Sequence, residues 1–365
     1  MANRLAVQMS DLFFPPLPSL NRVKLLDLPG IPVDESVRGW SGYELVGRPA
    51  LEKLIAARAA DMALDLTRPL LPQLHDCFEN GTALQRHNAN EIARTFGRRL
   101  AWLLLVVKRA DPVNFPGRPD WEPRHWAYFA AREQVFLGGG LLAGRVGEAI
   151  AAETMAIVAA HTAALAVTRV RHPTALPMLG LARCAPAGQR QILLFDFGQS
   201  SLKRAVAHYD DDGRFSELTL LPRQELNLLG HDLAPAELLA LMVERLAESW
   251  HESQALGYAP APVGGIALAA HLLAGGEIGP GQTSGYGRLR ELGRYLPVIL
   301  AEVVGERLGR PVSFFCLNDA AAAASFYAGQ PATLALALGT GIGTGLVPLT
   351  GAYRPVAPGL QVATT

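Results

Sequence analysis

Two segments of the sequence consist of an apolar run, a glycine turn and a second apolar run. The segment TLALALGTGIGTGLVPL has its glycines between residues 339 and 345, and QILLFDFGQSSLKRAVAHY turns at residues 198–200. Each pattern predicts two strands joined by a tight hairpin. Few side chains crowd either turn, so that the backbone there is open to a ligand.

Helical patterns alternate with these and other strands, and such alternation predicts an α/β protein. A chain of 365 residues suggests two domains, at roughly 100–200 residues per domain. The segment CAPAGQR, at residues 184–190, is the best candidate for a linker. Apolar residues recur at helical spacing in 50–72, 88–108, about 148–167, 233–250 and 289–308.

The charges balance, with 33 Lys and Arg against 33 Asp and Glu. No global positive field is therefore available for a nucleic acid or an anionic membrane, and neither partner is expected. The sequence has no stretch of 18 uninterrupted apolar residues and no signal-peptide pattern, so we expect a cytoplasmic protein. Three distant cysteines favour neither a disulfide framework nor a zinc site.

The turn in FDFGQSSLK has the residue types of a phosphate site. Asp196 ends a strand, Gly198 begins the turn, and Lys203 lies in the next strand. Backbone N–H groups of such a turn can approach phosphate oxygens, and a nearby carboxylate can hold Mg²⁺ through water. An ordinary hairpin is the alternative. The DFG triplet does not indicate a protein kinase, because HRD and VAIK segments are absent.

The glycine-rich segment 339–345 offers amides and the hydroxyls of Thr340 and Thr344 to phosphate oxygens. It is not a P-loop, because no Lys-Ser/Thr pair follows. A third segment, FLGGGLLAG, satisfies GxGxxA with Gly138, Gly140 and Ala143. A dinucleotide site would also need an acidic residue about 20 residues later, where AAHTAALA has none. We favour a turn that packs against an adenosine.

The segment LNDAAAAASF opens a helix at Asn318-Asp319. The simpler interpretation is that these residues cap the helix. The functional interpretation is that Asp319 takes a proton from a substrate hydroxyl while Asn318 orients a sugar. The sequence leaves both interpretations open.

Together these segments resemble the ROK family (repressors, open reading frames, kinases) of the sugar kinase, Hsp70 and actin superfamily. DFGQSSLK and LALALGTGIGTGLV are similar to its two phosphate turns, GRPVSFFCLNDAAAAA to its Asn-Asp segment, and VFLGGGLLAG to its adenosine turn. The family places the adenosine turn last, whereas this chain places it first. The cyclic order is unchanged, which predicts a circular permutation joined near residues 184–190.

The resemblance implies a two-domain, actin-like (ribonuclease H-like) ATPase fold with a cleft between the domains. It implies a larger nucleotide-binding domain, residues 1–185 plus 320–365, and a smaller domain, residues 186–319. The activity implied is an ATP-dependent sugar kinase that transfers the γ-phosphoryl group to a hydroxyl of a hexose or N-acyl amino sugar, with ATP and Mg²⁺ bound. A homodimer is one option for the assembly.

The site residues follow from the same resemblance, with Asp319 as the catalytic base and Asp196 near Mg²⁺. Substrate contacts are assigned to Asn318, Asp319 and Glu44. ATP contacts are assigned to Asp196, Gly198, Gln199, Ser200, Ser201, Lys203, Gly339, Thr340, Gly341, Gly343, Thr344, Gly138, Gly139 and Gly140.

Two features of the family are missing from the sequence: its CxCGxxGC zinc cluster and a recognisable GExGH sugar-contacting segment. The alternative function is therefore a catalytically degenerate sensor of the same fold that binds a sugar or a nucleotide. The segment NANEIARTFGRR superficially resembles half of a repressor helix-turn-helix. It runs directly into the apolar WLLLVV, which favours a buried helix instead.

Overall fold

The computed structural model describes residues 18–226, 228, 233–280 and 285–365. The chain divides into two units, each built from two separate stretches of sequence. The first unit comprises Met1–Thr174 and Gln330–Leu346, and the second comprises Ala175–Gly329 and Val347–Thr365. The prediction of an α/β protein is confirmed, because both units combine a sheet with helices.

Ten strands lie in the described residues. They are β1 (Gln134–Gly138), β2 (Ala166–Arg169), β3 (Gln191–Phe197), β4 (Ser201–Tyr209), β5 (Phe215–Glu225), β6 (Val263–Leu268), β7 (Ser313–Asn318), β8 (Thr333–Leu338), β9 (Ile342–Leu346) and β10 (Val356–Thr364).

Eleven α-helices lie in the same residues, and none of them is long and apolar enough to cross a membrane. They are α1 (Gly42–Val46), α2 (Arg48–Ala56), α3 (Ala59–Met62), α4 (Leu70–Asn80), α5 (Ala83–Arg109), α6 (Pro123–Ala130), α7 (Gly144–His161), α8 (Leu176–Arg183), α9 (Pro235–Ala255), α10 (Leu296–Leu308) and α11 (Asp319–Ser325). Short 3-10 helices span Leu20–Arg22, Glu35–Val37, Pro112–Gly117, Gly140–Leu142, Pro173–Ala175, Ala274–Gly276 and Gly285–Glu291.

The sheet of the first unit has the strand order β2-β1-β8-β9. Strands β2, β1 and β8 are parallel, whereas β8 and β9 form an antiparallel hairpin. The long helix α5 packs closely on α7, because Gly97 lets the two backbones approach. A Cβ atom at residue 97 would lie 2.5 Å from the Ile150 carbonyl oxygen. The segment NANEIARTFGRR thus lies in one uninterrupted, largely buried helix, without the turn of a helix-turn-helix.

The sheet of the second unit has the order β10-β5-β4-β3-β6-β7. Strands β3, β4 and β5 form an antiparallel meander, whereas β3, β6 and β7 are parallel. The carboxyl ends of the parallel strands therefore share one edge of the sheet. This edge brings Asp196, near the end of β3, toward Asn318, the last residue of β7.

The two sheets share an arrangement of four strands. In β4-β3-β6-β7 and in β9-β8-β1-β2, an antiparallel hairpin flanks two further strands that run parallel to its inner strand. The order along the chain differs, however. The hairpin precedes the parallel strands in the second unit and follows them in the first.

Three predicted helices are wrong in their extent. Segment 50–72 is broken, because Ala63 adopts a left-handed conformation (φ 53°) at the end of α3 and Pro69 precedes α4. The helix predicted to reach about residue 167 ends at His161, and β2 follows. The helix predicted for residues 289–308 is α10, which begins at Leu296 and is preceded by a 3-10 helix.

The observed division of the chain differs from the predicted domains at both boundaries. Helix α8, before residue 186, packs against β3 and against α11. The C-terminal strand β10 pairs with β5 rather than with the sheet of the first unit. Both segments therefore belong to the unit that contains residues 186–319.

The contact between α8 and α11 depends on Gly180. A methyl group at residue 180 would lie 1.6 Å from the Ala322 carbonyl oxygen, so Gly180→Ala must push the helices apart. We expect a loss of about 1–3 kcal/mol or more in the free energy of unfolding, measured by urea denaturation. Gly305→Ala in α10 is the control, because its methyl would lie 3.3 Å from the nearest atom. Equal stability of the two variants would contradict this packing account.

Candidate functional site

A buried ion pair lies at the carboxyl edge of the second-unit sheet. Asp196 in β3 is directly opposite Lys203 in β4, and the Lys203 Nζ lies 2.7 Å from Asp196 Oδ2. Asp196 is only 4% exposed. A buried carboxylate is costly without a partner, and Lys203 provides that partner at this edge.

Asp319 begins α11 immediately after β7, and its side chain accepts a hydrogen bond from the Ala320 N–H at 2.8 Å. Burial raises the pKa of Asp319 from 3.8 to about 6, and the negative charge of Asp196 adds to this increase. The Ala320 N–H and the Lys203 ammonium act in the opposite direction. Asp319 is therefore a carboxylate of raised basicity, which suits a general base near neutral pH.

Asn318 caps α11, which confirms the structural interpretation of this residue. Its Oδ1 accepts hydrogen bonds from the N–H groups of Ala320 at 3.0 Å and Ala321 at 3.2 Å. Its Nδ2 donates to the Ala270 carbonyl at 2.9 Å, in the segment that follows β6. The amide thus holds the start of α11 against the end of β6, and a contact with sugar stays a prediction.

The first glycine turn, residues 198–200, has all three of its carbonyls bound by other parts of the second unit. The Gly198 carbonyl accepts from the Tyr286 hydroxyl at 2.8 Å. The carbonyls of Gln199 and Ser200 accept from the N–H groups of Leu228 and Leu226, at 2.9 and 3.0 Å. Within the described part of the chain, the N–H groups of Gln199 and Ser200 have no acceptor.

The second glycine turn, residues 339–341, is held in the same way in the first unit. The Arg48 N–H donates to the carbonyls of Gly339 and Thr340, at 3.2 Å each, and the Gly339 N–H donates to the Gly341 carbonyl at 2.9 Å. Among the described residues, the N–H groups of Thr340 and Gly341 meet no acceptor. Both turns therefore present hydrogen-bond donors and keep their carbonyls within the protein.

Asn21 anchors the far side of the second glycine turn. Its Oδ1 accepts from the Ile342 N–H at 2.8 Å and its Nδ2 donates to the Ile342 carbonyl at 2.9 Å. Nearby, the Thr344 Oγ1 accepts from the Leu20 N–H at 3.1 Å. The flanking residue Gly343 lies in β9. Asn21 and Tyr286 both hold the turns, but neither lies in a recognisable motif, so the sequence did not predict them.

The predicted adenosine turn meets the second glycine turn within the first unit. Gly138 pairs with Ala337 across β1 and β8. Gly139 has a φ of +98°, and a Cβ atom there would lie 2.3 Å from the Leu338 carbonyl oxygen. Only glycine fits this position. Gly140 faces open space, since no atom lies within 4 Å of its ideal Cβ position.

Two predicted site residues have local structural partners. The Glu44 carboxylate accepts from the Ser41 N–H and hydroxyl, at 2.8 and 2.7 Å, and these bonds lower its pKa. Glu44 is exposed in the first unit, in a capping box of α1, and its contact with substrate stays a prediction. Ser201 is buried at the start of β4, where it pairs with Glu225.

No group of three or more His, Cys, Asp and Glu side chains is placed to hold a metal ion in the part of the chain that the structure describes. The carboxylates of Asp196 and Asp319 are the oxygen donors at the sheet edge. After burial, the charge of Asp196 is the next cause of the raised pKa of Asp319, and a divalent cation would relieve this repulsion.

Comparison of the chain with models of known protein families finds no matching family, and comparison with curated proteins finds no matching protein.

The pKa of Asp319 predicts how stability changes with pH in Asp319→Asn. The folded state holds its proton up to about pH 6, whereas the unfolded state loses it near pH 3.8. The wild-type protein therefore loses the stability associated with this proton as the pH rises from 4 to 7, and the variant does not. Relative to wild type, we expect the free energy of unfolding of Asp319→Asn to rise by about 2–3 kcal/mol between pH 4 and pH 8. Urea unfolding at both pH values measures this, and a pH-independent difference would contradict it.

Proposed function

We propose that the protein is an ATP-dependent sugar kinase with a circularly permuted, actin-like fold of the ROK type. One observation carries this proposal. In each glycine turn, carbonyl groups accept hydrogen bonds from the protein, whereas the N–H groups of Gln199, Ser200, Thr340 and Gly341 have no acceptor among the described residues. A surface of donors without acceptors favours an anion over a neutral ligand. Phosphate oxygens are acceptors, and peptide N–H groups bind them without a large positive field. This agrees with a chain of zero net charge.

The matching arrangement of strands supports the permuted fold. Each unit has its glycine turn in the hairpin that flanks two parallel strands, which is the expected position of the two phosphate turns. The different chain order of the two units is what a permutation would produce. The proposed joint, residues 184–190, is tied down by Arg354, whose Nη1 donates to the Pro186 carbonyl at 3.0 Å. Such a bond would hold a new connection at this place against the rest of the second unit.

The sheet edge of the second unit supplies the proposed chemistry. Asp319 accepts the proton of a sugar hydroxyl as the hydroxyl oxygen attacks the γ-phosphorus of ATP. The bond from the γ-phosphorus to the bridging oxygen breaks, and ADP leaves with that electron pair. The two glycine turns bind phosphate oxygens through fixed N–H groups, so little reorganisation is needed during the transfer. The raised pKa of Asp319 makes it a stronger base than an ordinary aspartate.

The carboxylate pair fits Mg²⁺, which prefers oxygen ligands and retains several waters. Asp196 would hold the ion through water, beside Asp319. When bound, the ion neutralises charge on the phosphates. Lys203 forms an ion pair with Asp196 at 2.7 Å and so fixes the position of this carboxylate at the sheet edge. The class of sugar, a hexose or N-acyl amino sugar, rests on the family resemblance alone.

Sugar-dependent ADP release, screened over hexoses and N-acyl amino sugars, tests the proposal. With an accepted sugar, Asp319→Asn should lower turnover about 10²- to 10⁴-fold, because the amide cannot take the proton. Asp212→Asn is the control. It removes a carboxylate whose side chain is 72% exposed, in the turn between β4 and β5, and should leave turnover unchanged.

Two results would contradict the proposal: the first concerns the role of Asp319 and the second the kinase activity itself. Full turnover in Asp319→Asn would show that the base is wrongly assigned. Nucleotide binding by the wild-type protein without ADP release for any sugar in the screen would favour the alternative, a degenerate sensor.

A further inference from the structure

Tyr286 connects the segment between β6 and α10 to the first glycine turn. It is 1% exposed, and its hydroxyl donates to the Gly198 carbonyl at 2.8 Å. Its ring packs edge-on against Phe197, the last residue of β3, with ring centroids 6.1 Å apart. Among the described residues, the other two carbonyls of this turn accept from main-chain N–H groups, and only the Gly198 carbonyl accepts from a side chain, that of Tyr286.

The bond to Gly198 acts on the next N–H group. The Gly198 carbonyl and the Gln199 N–H belong to one planar peptide group and point in opposite directions when the bond is trans. Holding this carbonyl within the protein thus turns the Gln199 N–H outward. The main-chain donors Leu228 and Leu226 hold the following two peptide groups in the same way.

Hydrogen bonds hold residues on both sides of Gly285–Glu291, the 3-10 helix that contains Tyr286. Glu277 accepts from Arg294 at 2.6 Å, and the Ile278 N–H donates to the Arg294 carbonyl at 2.8 Å. In addition, the N–H group of Gly279 donates to the carbonyl of His271 at 2.9 Å. Tyr286 itself is buried, and its hydroxyl is the described donor to the carbonyl of the Gly198–Gln199 peptide.

We propose that Tyr286 is a positioning residue for phosphate binding: its hydroxyl fixes the peptide group whose N–H, that of Gln199, binds a phosphate oxygen of the nucleotide. This inference rests on the proposed function, since it assigns a role within the same site. The hydroxyl remains a donor at every relevant pH, because burial and the neighbouring Asp196 charge raise the pKa of Tyr286.

Tyr209 provides a matched control in the same unit. It is 5% exposed, and its hydroxyl donates to the Ala182 carbonyl at 2.7 Å, in α8 rather than in a glycine turn. Tyr209→Phe and Tyr286→Phe therefore remove the same kind of buried bond from a tyrosine to a main-chain carbonyl. Their effects on stability should be similar, whereas their effects on nucleotide binding should differ.

The experiment measures the dissociation constant of a non-hydrolysable ATP analogue with Mg²⁺ by calorimetry, for the full-length wild-type protein and both variants. We expect Tyr286→Phe to bind the analogue about tenfold more weakly, because the Gln199 N–H is no longer held toward the charged phosphate. Tyr209→Phe should bind like wild type. With an accepted sugar, the KM for ATP should rise in Tyr286→Phe by a similar factor, while the KM for the sugar stays constant.

The outcomes separate this inference from the proposal beneath it. If the wild-type protein binds the analogue and both variants bind it as tightly as wild type does, the role of Tyr286 is overturned and the proposed function stands. Equal losses of affinity in both variants would have the same consequence, since these losses would follow stability alone. No binding by the wild-type protein would overturn the proposed function, and the role of Tyr286 with it.

Discussion

The site depends on a property of the peptide group: its carbonyl and its N–H point in opposite directions. In both glycine turns the carbonyls are bound by neighbouring segments, by Leu226 and Leu228 in one unit and by Arg48 in the other. The N–H groups of Gln199, Ser200, Thr340 and Gly341 have no acceptor among the described residues, which is the arrangement that the proposed phosphate contacts require. The second turn has glycine at residues 339 and 341, whereas the first has glycine only at residue 198. A site made of fixed dipoles needs no surface of basic side chains.

The parallel strands of the second unit add the reactive groups. Because β3 and β7 end at the same edge, Asp196 and Asp319 come close enough for the charge of one to raise the pKa of the other. Lys203 offsets the charge of Asp196, and Asn318 fixes the start of α11. The sheet thus sets the basicity of Asp319 as well as its position. In the proposed reaction, this basicity provides the proton acceptor and the turns provide the phosphate contacts.

The sequence predicted the elements whose signals are local. The glycine hairpins and the strand that ends at Gly138 follow from short patterns, and the α/β class follows from the alternation of strands and helices. The cap at Asn318 was one of two interpretations that its pattern left open. The helix breaks at Ala63 and after His161 were not predicted, because apolar spacing continues across both. The pairing of β10 with β5 and the role of Tyr286 were not predicted either. Such contacts join residues far apart in the chain, and no local pattern encodes them.

The most direct measurement of the central claim uses the amide resonances of the two turns. A non-hydrolysable ATP analogue with Mg²⁺ is added to ¹⁵N-labelled protein, and the chemical shifts of Gln199, Ser200, Thr340 and Gly341 are followed. The account predicts that the amides of each turn shift when the analogue is added, because their N–H groups acquire phosphate acceptors. Binding of the analogue that leaves these amides unchanged, while others move, would contradict it.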